Sequence, residues 1–235
     1  MSADVDDRRA ELTASLAETE QRIVDACAAA GRSRDEITLV VVTKTYPASD
    51  VEILAELGIV DVGENRHPEA GDKAEQVAAP LRWHFLGGLQ TNKAGAVARY
   101  ADLVHSVDRV KLVNSLSRGA EAADRTLTCL VQVDFQATDA GRAGVLPDGI
   151  GVVADAIAGA PGLELGGLMT VAPLGEDPRP HFDHLVRLSA ELRRDHPDAS
   201  IVSAGMSGDL EAAVAAGATH LRIGRSVLGE RAVTG

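Results

Sequence analysis

A lysine at the end of an apolar run is the first residue here whose type and position suggest chemistry. The stretch VVTKTYP (41–47) reads as a strand buried on both faces, and it ends in Lys44. An ammonium is costly to bury. Either the strand reaches water there and the lysine stem snorkels to solvent, or the lysine is placed to react. Two other segments have the form of anion sites. SAGMSGD (203–209) enters a helix at about Gly208, and RIGRS (222–226) enters another at about Ser226. Backbone N–H groups at a helix start bind phosphate, helped by the helix dipole. Ser207 and Ser226 would add hydroxyl donors. Each segment alone reads equally well as an ordinary capped turn; together they favour phosphate. Burial lowers a lysine pKa by disfavouring the ammonium, and a neutral amine attacks carbonyls. A phosphorylated aldehyde would satisfy both ends of such a site.

Those residues need elements to hold them. Residues 7–30 form an expected helix, with Leu12, Leu16, Ile23 and Cys27 near one face and Gly31 as its stop. Strand-like and helix-like pieces then alternate. The expected strands are 37–43, 59–63, 83–87, 103–107, 127–135, 163–171, 200–205 and 219–224. Helices are expected after Pro47, over about 66–78, over 91–100, after Asp108 as a cap, and at about 148–159 and 178–195. A further one runs from Asp209 to Ala216, and a short last one begins near Ser226. Eight β–α pairs point to a (β/α)₈ TIM-type barrel with an additional N-terminal helix. A doubly wound open sheet is the alternative, but no GxGxxG follows the first strand. Either fold gathers ligands at the carboxyl ends of its strands. Those ends carry Lys44, Asn65, His84, His105, Asp134, Met169 and Thr170, the segment Ser203 to Ser207, and the segment Arg222 to Arg225. Pyridoxal 5′-phosphate fits such a lysine-and-phosphate site; a sugar phosphate, as in lysine aldolases, fits it too.

Composition removes several classes. A formal net charge of −12 argues against a general nucleic-acid binder. Cys27 and Cys129 show no metal spacing, and a disulfide scaffold is not expected at 235 residues, so a cytoplasmic location is the default. The charged start MSADVDDRRAEL has no signal-peptide core, and no apolar run is long enough to span a membrane. His181 and His184 stand three apart without a third ligand, so no metal site is expected.

An ordered set of motifs carries a resemblance. VTKT (42–45), GEN (63–65), WHFLGGLQTNK (83–93), HSVD (105–108), GLMT (167–170), SAGMSGDLEAAVAAG (203–217) and LRIGRSVLGER (221–231) span nearly the whole chain. The chain resembles the pyridoxal phosphate homeostasis proteins, relatives of the alanine racemase barrel. The resemblance implies one domain over 1–235, with the N-terminal helix at about 7–30 and the barrel at about 37–230. It implies that Lys44 holds the cofactor as an aldimine. Ser207 and the backbone of Gly224 and Arg225 would hold the phosphate, with Met206 and Ser203 close by. Arg222 would face the pyridine nitrogen. A guanidinium donates only, so that nitrogen would stay unprotonated and the cofactor would be a poorer electron sink. Asn65, His84 and Met169 complete the implied pocket, although His84 reads equally as a satisfied core histidine. Three positions depart from the family pattern: Arg66, Gly88 and Leu228 stand where many members have an aromatic residue, a proline in some, and Phe.

The resemblance also implies a role. Racemization needs acid and base groups on both faces of the substrate carbon. Lys44 serves one face; neither Tyr46 nor Tyr100 matches the racemase tyrosine by motif, and the chain stops soon after the eighth unit. The expectation is a monomeric carrier that buffers pyridoxal phosphate, with apo-enzymes as recipients and little or no turnover. A weak amino-acid racemase and a lysine-imine aldolase are the alternatives.

Overall fold

The computed structural model describes residues 3–136 and 143–229. Eight parallel strands close into a barrel in chain order, with β8 (His220–Ile223) hydrogen-bonded back to β1 (Thr38–Val42). The others are β2 (Asp61–Glu64), β3 (Arg82–Phe85), β4 (Leu103–Val107), β5 (Leu127–Val133), β6 (Leu163–Thr170) and β7 (Ile201–Ser203). The expected barrel is therefore the observed one, and the open sheet is excluded.

The valine-rich strands owe their unbroken apolar character to having two buried faces. Successive side chains alternate across the sheet. Leu39 and Val41 join the layer between strands and helices. Val40 lines the interior, where a Cβ on Gly63 would come within 3.2 Å of its Cγ1. The outer layer packs Val104, Leu221 and Ile223 under Leu54, Leu112, Leu116, Ile157 and Leu185.

The first helix, α1 (Ala3–Ala29), lies outside the β–α repeat and packs on the last two helices, α8 (Leu210–Ala216) and α9 (Arg225–Leu228). Its expected apolar face is the buried one: Leu12, Leu16, Ile23 and Cys27 are all in the core. The remaining helices are α2 (Ala48–Glu56), α3 (Glu69–Gln76), α4 (Ala94–Val97), α5 (Val110–Ala122), α6 (Ile150–Ala158) and α7 (Arg179–Asp195).

Three expectations need correcting. The helix expected over 91–100 is a 3-10 turn at Thr91–Lys93 followed by the single turn of α4. It lies close against α5, where a Cβ on Gly119 would come within 2.7 Å of the Gly95 Cα. Asp108 does not cap α5: an extended Arg109 takes the N-cap position, and the Asp108 carboxylate is paired with that arginine instead. Strand β7 ends at Ser203 rather than 205, because Gly205 turns the chain at φ +92°.

Candidate functional site

Lys44 follows directly on β1 and is partly buried. Both of its neighbours are clamped. The Thr43 hydroxyl donates to Glu64 Oε1 at 2.7 Å, and Lys73 Nζ donates to the Thr43 carbonyl at 2.9 Å and to Glu64 Oε1 at 2.5 Å. On the other side the Thr45 N–H donates to Glu69 Oε1 at 2.9 Å. Thr45 sits at φ +70°, a conformation that costs a β-branched residue energy and persists only when its surroundings hold it. The Lys73–Glu64 pair is almost sealed from water, with side-chain exposures of 5% and 1%. Burial raises the Glu64 pKa, opposed by the Lys73 and Thr43 hydrogen bonds. The loop that carries the candidate nucleophile is thus fixed from beneath by a buried ion pair.

The two turns expected to bind an anion do lie together. The Ser226 N–H donates to Ser207 Oγ at 3.3 Å, which joins the turn after β7 to the start of α9. The Met206 N–H is taken by Asp209 Oδ1 at 2.5 Å. Among the described residues the amides of Ser207 and Gly208 make no hydrogen bond, and a Cβ on Gly208 would meet nothing within 4 Å. Behind the turns stands a cation from α1. Arg22 donates to the Ser207 carbonyl at 3.2 Å and pairs with Glu211 at 2.7 Å.

Arg222 is 5% exposed and projects from β8 into the barrel. It donates to Ser203 Oγ at 2.7 Å and to the Thr170 carbonyl at 2.8 Å. Desolvation lowers its pKa to about 10, with Asp209 acting the other way, so the guanidinium remains charged near neutral pH. From Ser203 a chain of buried groups continues to the base of the barrel. His105 Nδ1 lies 2.9 Å from Ser203 Oγ, His105 Nε2 lies 2.8 Å from His84 Nδ1, and His84 Nε2 lies 2.8 Å from Asp61 Oδ1. Arg82 closes the chain on Asp61 Oδ2 at 2.7 Å. Burial pushes the His105 pKa well below the usual histidine value, with His84, Arg222 and His220 adding to the shift. Burial alone would raise the Asp61 pKa, but its hydrogen bonds to His84 and Arg82 outweigh this and leave it lowered.

The sequence-expected residues divide accordingly. Lys44, Ser203, Met206, Ser207, Arg222, Gly224 and Arg225 all stand at or just beyond the carboxyl ends of β1, β7 and β8. Asn65 follows β2, and its carbonyl would sit 2.1 Å from a Cβ on Gly87, so only glycine allows β3 to leave the barrel there. Met169 is buried near the end of β6. His84 lies deeper, with both ring nitrogens engaged, and is a satisfied core histidine. Of the three departures, Gly88 and Arg66 are exposed, and Leu228 is buried. Sequence reasoning missed Asp61, Lys73 and Arg22. Asp61 carried a signal, a carboxylate inside the apolar run IVDVG; Lys73 and Arg22 sit in polar helical stretches and carried none.

Comparison with known proteins settles the relationship. The model of the alanine racemase N-terminal domain family matches residues 16–232. A pyridoxal phosphate homeostasis protein of Mycobacterium bovis is 41% identical over 98% of both chains. The Escherichia coli protein of the same name is 35% identical over 94% of this chain and 97% of its own. The chain belongs to the pyridoxal phosphate homeostasis protein family. Among solved structures, PipY of Synechococcus elongatus with PLP bound superposes with a TM-score of 0.77 at 31% identity, covering 88% of this chain and all of PipY. Alanine racemase from Corynebacterium glutamicum shares the fold at a TM-score of 0.68 and 15% identity, covering 92% of this chain and 60% of the racemase. Family membership accounts for the motif set, and the fold likeness accounts for the barrel.

Proposed function

We propose that this protein binds pyridoxal 5′-phosphate and serves its intracellular homeostasis as a carrier with little or no turnover. The observation that supports this best is the convergence of a partly buried Lys44, the unsatisfied Ser207 and Gly208 amides, and a donor-only Arg222 at one barrel end. The donor set suits the cofactor: amides and a hydroxyl for the phosphate, an amine for the aldehyde, a guanidinium for the ring nitrogen. When bound, the cofactor would supply an electrophilic aldehyde carbon, the partner that an amine at the end of β1 suits. Lys44 provides that amine. Ser207, Gly224 and Arg225 hold the phosphate through hydroxyl and main-chain donors. Met206 and Ser203 stand beside them, and Asn65 and Met169 line the pocket. Arg222, charged and without an acceptor, keeps a proton off the ring nitrogen. The cofactor would then be a poorer electron sink.

The tyrosines support a carrier over a racemase. The Tyr46 hydroxyl donates to the Gly229 carbonyl at 2.8 Å. Tyr100 stacks on His67 at 6.0 Å beside α3, and burial raises its pKa far above the usual value. In this reading neither serves as the second acid–base group. We further read the protein as a cytoplasmic, single-domain monomer that passes the cofactor to apo-enzymes. No helix among the described residues is long and apolar enough to cross a membrane.

The test is spectroscopic. Protein loaded with pyridoxal phosphate and freed of excess should show a visible band, and Lys44→Ala should lose it. Exchange at the α-carbon of added amino acids should stay near background. A band that survives in Lys44→Ala overturns the site; rapid Lys44-dependent exchange overturns the carrier role.

A further inference from the structure

The polar chain through the barrel has a direction. Arg222 can only donate, and the Asp61 carboxylate can only accept. With both ends fixed and one hydrogen on each imidazole, every link between them has one solution. Ser203 Oγ accepts from Arg222 at 2.7 Å, so its own proton is free to go to His105 Nδ1, 2.9 Å away. His105 then carries its hydrogen on Nε2 and donates to His84 Nδ1 at 2.8 Å. His84 carries its hydrogen on Nε2 and donates to Asp61 Oδ1 at 2.8 Å. In this arrangement each of the four groups has a partner, and no donor faces a donor. His105 and Ser203 have no measurable exposure, and His84 has 1%. An error in one link would therefore leave a buried polar atom short of a partner.

We propose that Asp61, His84 and His105 are positioning residues: a one-way hydrogen-bond chain fixes the Ser203 hydroxyl, and through it the Arg222 guanidinium, from the opposite end of the barrel. The part of this that concerns a ligand rests on the pyridoxal phosphate reading; the direction of the chain does not. Its anchor is at the base, where Arg82 is itself largely exposed and holds Asp61 Oδ2.

Asp61→Asn tests the proposal almost without changing shape. Arg82 keeps the Asn oxygen on its own side, because the alternative sets its N–H against the amide NH₂. The amide NH₂ then faces His84 Nε2, which must accept. His84 moves its hydrogen to Nδ1, His105 does the same, and Ser203 Oγ becomes an acceptor from both His105 and Arg222. The Ser203 hydroxyl hydrogen is expelled from the chain. Substitution of a buried orienting carboxylate by its amide inverts a histidine tautomer in the same way in serine proteases.

Nitrogen-15 NMR of the unloaded protein reads the tautomers directly. Both histidines should carry hydrogen on Nε2 in the wild type and on Nδ1 in Asp61→Asn. Ser203→Ala should leave both on Nε2, because the direction is set from Asp61. In the loaded protein, Asp61→Asn should weaken pyridoxal phosphate binding roughly tenfold, and the effect should vanish in a Ser203→Ala background. An Nδ1–H on either histidine in the wild type overturns the proposal. So does a swap in Ser203→Ala, or an equal loss of affinity in both backgrounds. If Asp61→Asn does not fold, the wild-type and Ser203→Ala tautomers still decide. A wild type with no visible band would sink the cofactor reading and leave the tautomer result standing.

Discussion

At the scale of single residues, Lys73 and Ser207 show how much of a site lies outside its reactive group. Lys73 touches no expected ligand, yet it holds the carbonyl before Lys44 and neutralises Glu64. Lys73→Met would strand a buried carboxylate, and removing one partner of such a pair costs about 3–5 kcal/mol. We expect a large drop in urea midpoint and slower capture of pyridoxal phosphate by Lys44; an unchanged midpoint would contradict the clamp. Ser207→Ala removes one hydroxyl from the anion turn and leaves the Ser226 amide unpaired. Binding should weaken by roughly tenfold, the worth of one hydrogen bond to a charged group. The loss should be smaller for pyridoxal than for its phosphate, as read by titration of the visible band. Lys44 and Ser207 were legible in the sequence because their types contradict their surroundings: a cation at the end of a run with three valines, a hydroxyl between glycine-rich turns. Lys73 was not, because a lysine on a short polar helix looks solvated until the fold buries it.

At the scale of elements, α1 is the part that the β–α count leaves over. It packs on α8 and α9, and its Arg22 reaches the Ser207 carbonyl. Arg22→Ala should therefore loosen the anion turn from behind. The expected result is a fewfold weaker affinity for pyridoxal phosphate with little change in thermal stability, since exposed ion pairs contribute about 1 kcal/mol or less. A variant with unchanged affinity would show that α1 only covers the barrel. Alternating apolar runs made the eight strands and the helix-lined exterior readable, and the face of α1 followed from its spacing. Element ends were less readable, for local reasons. Asp108 looked like a cap, but the extended Arg109 starts the helix one residue later. The 91–100 stretch looked like one helix, but it divides into a 3-10 turn and the single turn of α4, which packs closely on Gly119.

For the whole molecule, the barrel interior ties stability to pH. Burial holds the His220 pKa at about 4, and His105 well below its usual value. The unfolded chain takes up protons at both near pH 6.5, whereas the folded barrel does not. Their contribution is complete above that pH and is lost as the pH falls toward the folded values. For His220 alone it amounts to about 3 kcal/mol. Glu64, with a raised pKa, works in the opposite sense on acidification, but it is one group against two. The urea midpoint should fall between about pH 7.5 and pH 5, and His220→Gln should flatten that fall; a midpoint that holds or rises would contradict the buried neutral histidines. This interior was the least legible feature of the sequence. Asp61, His84, His105, Ser203 and Arg222 lie on five different strands, and only closure of the barrel brings them into line.

All of this converges on one amine. Borohydride reduction of the protein loaded with pyridoxal phosphate, followed by proteolysis and mass mapping, asks directly which residue holds the aldehyde. The account requires a single pyridoxyl group on the peptide that contains Lys44, formed without any added amino acid. A pyridoxyl group on Lys73 or Lys93 with Lys44 unmodified, or no adduct at all, would contradict it.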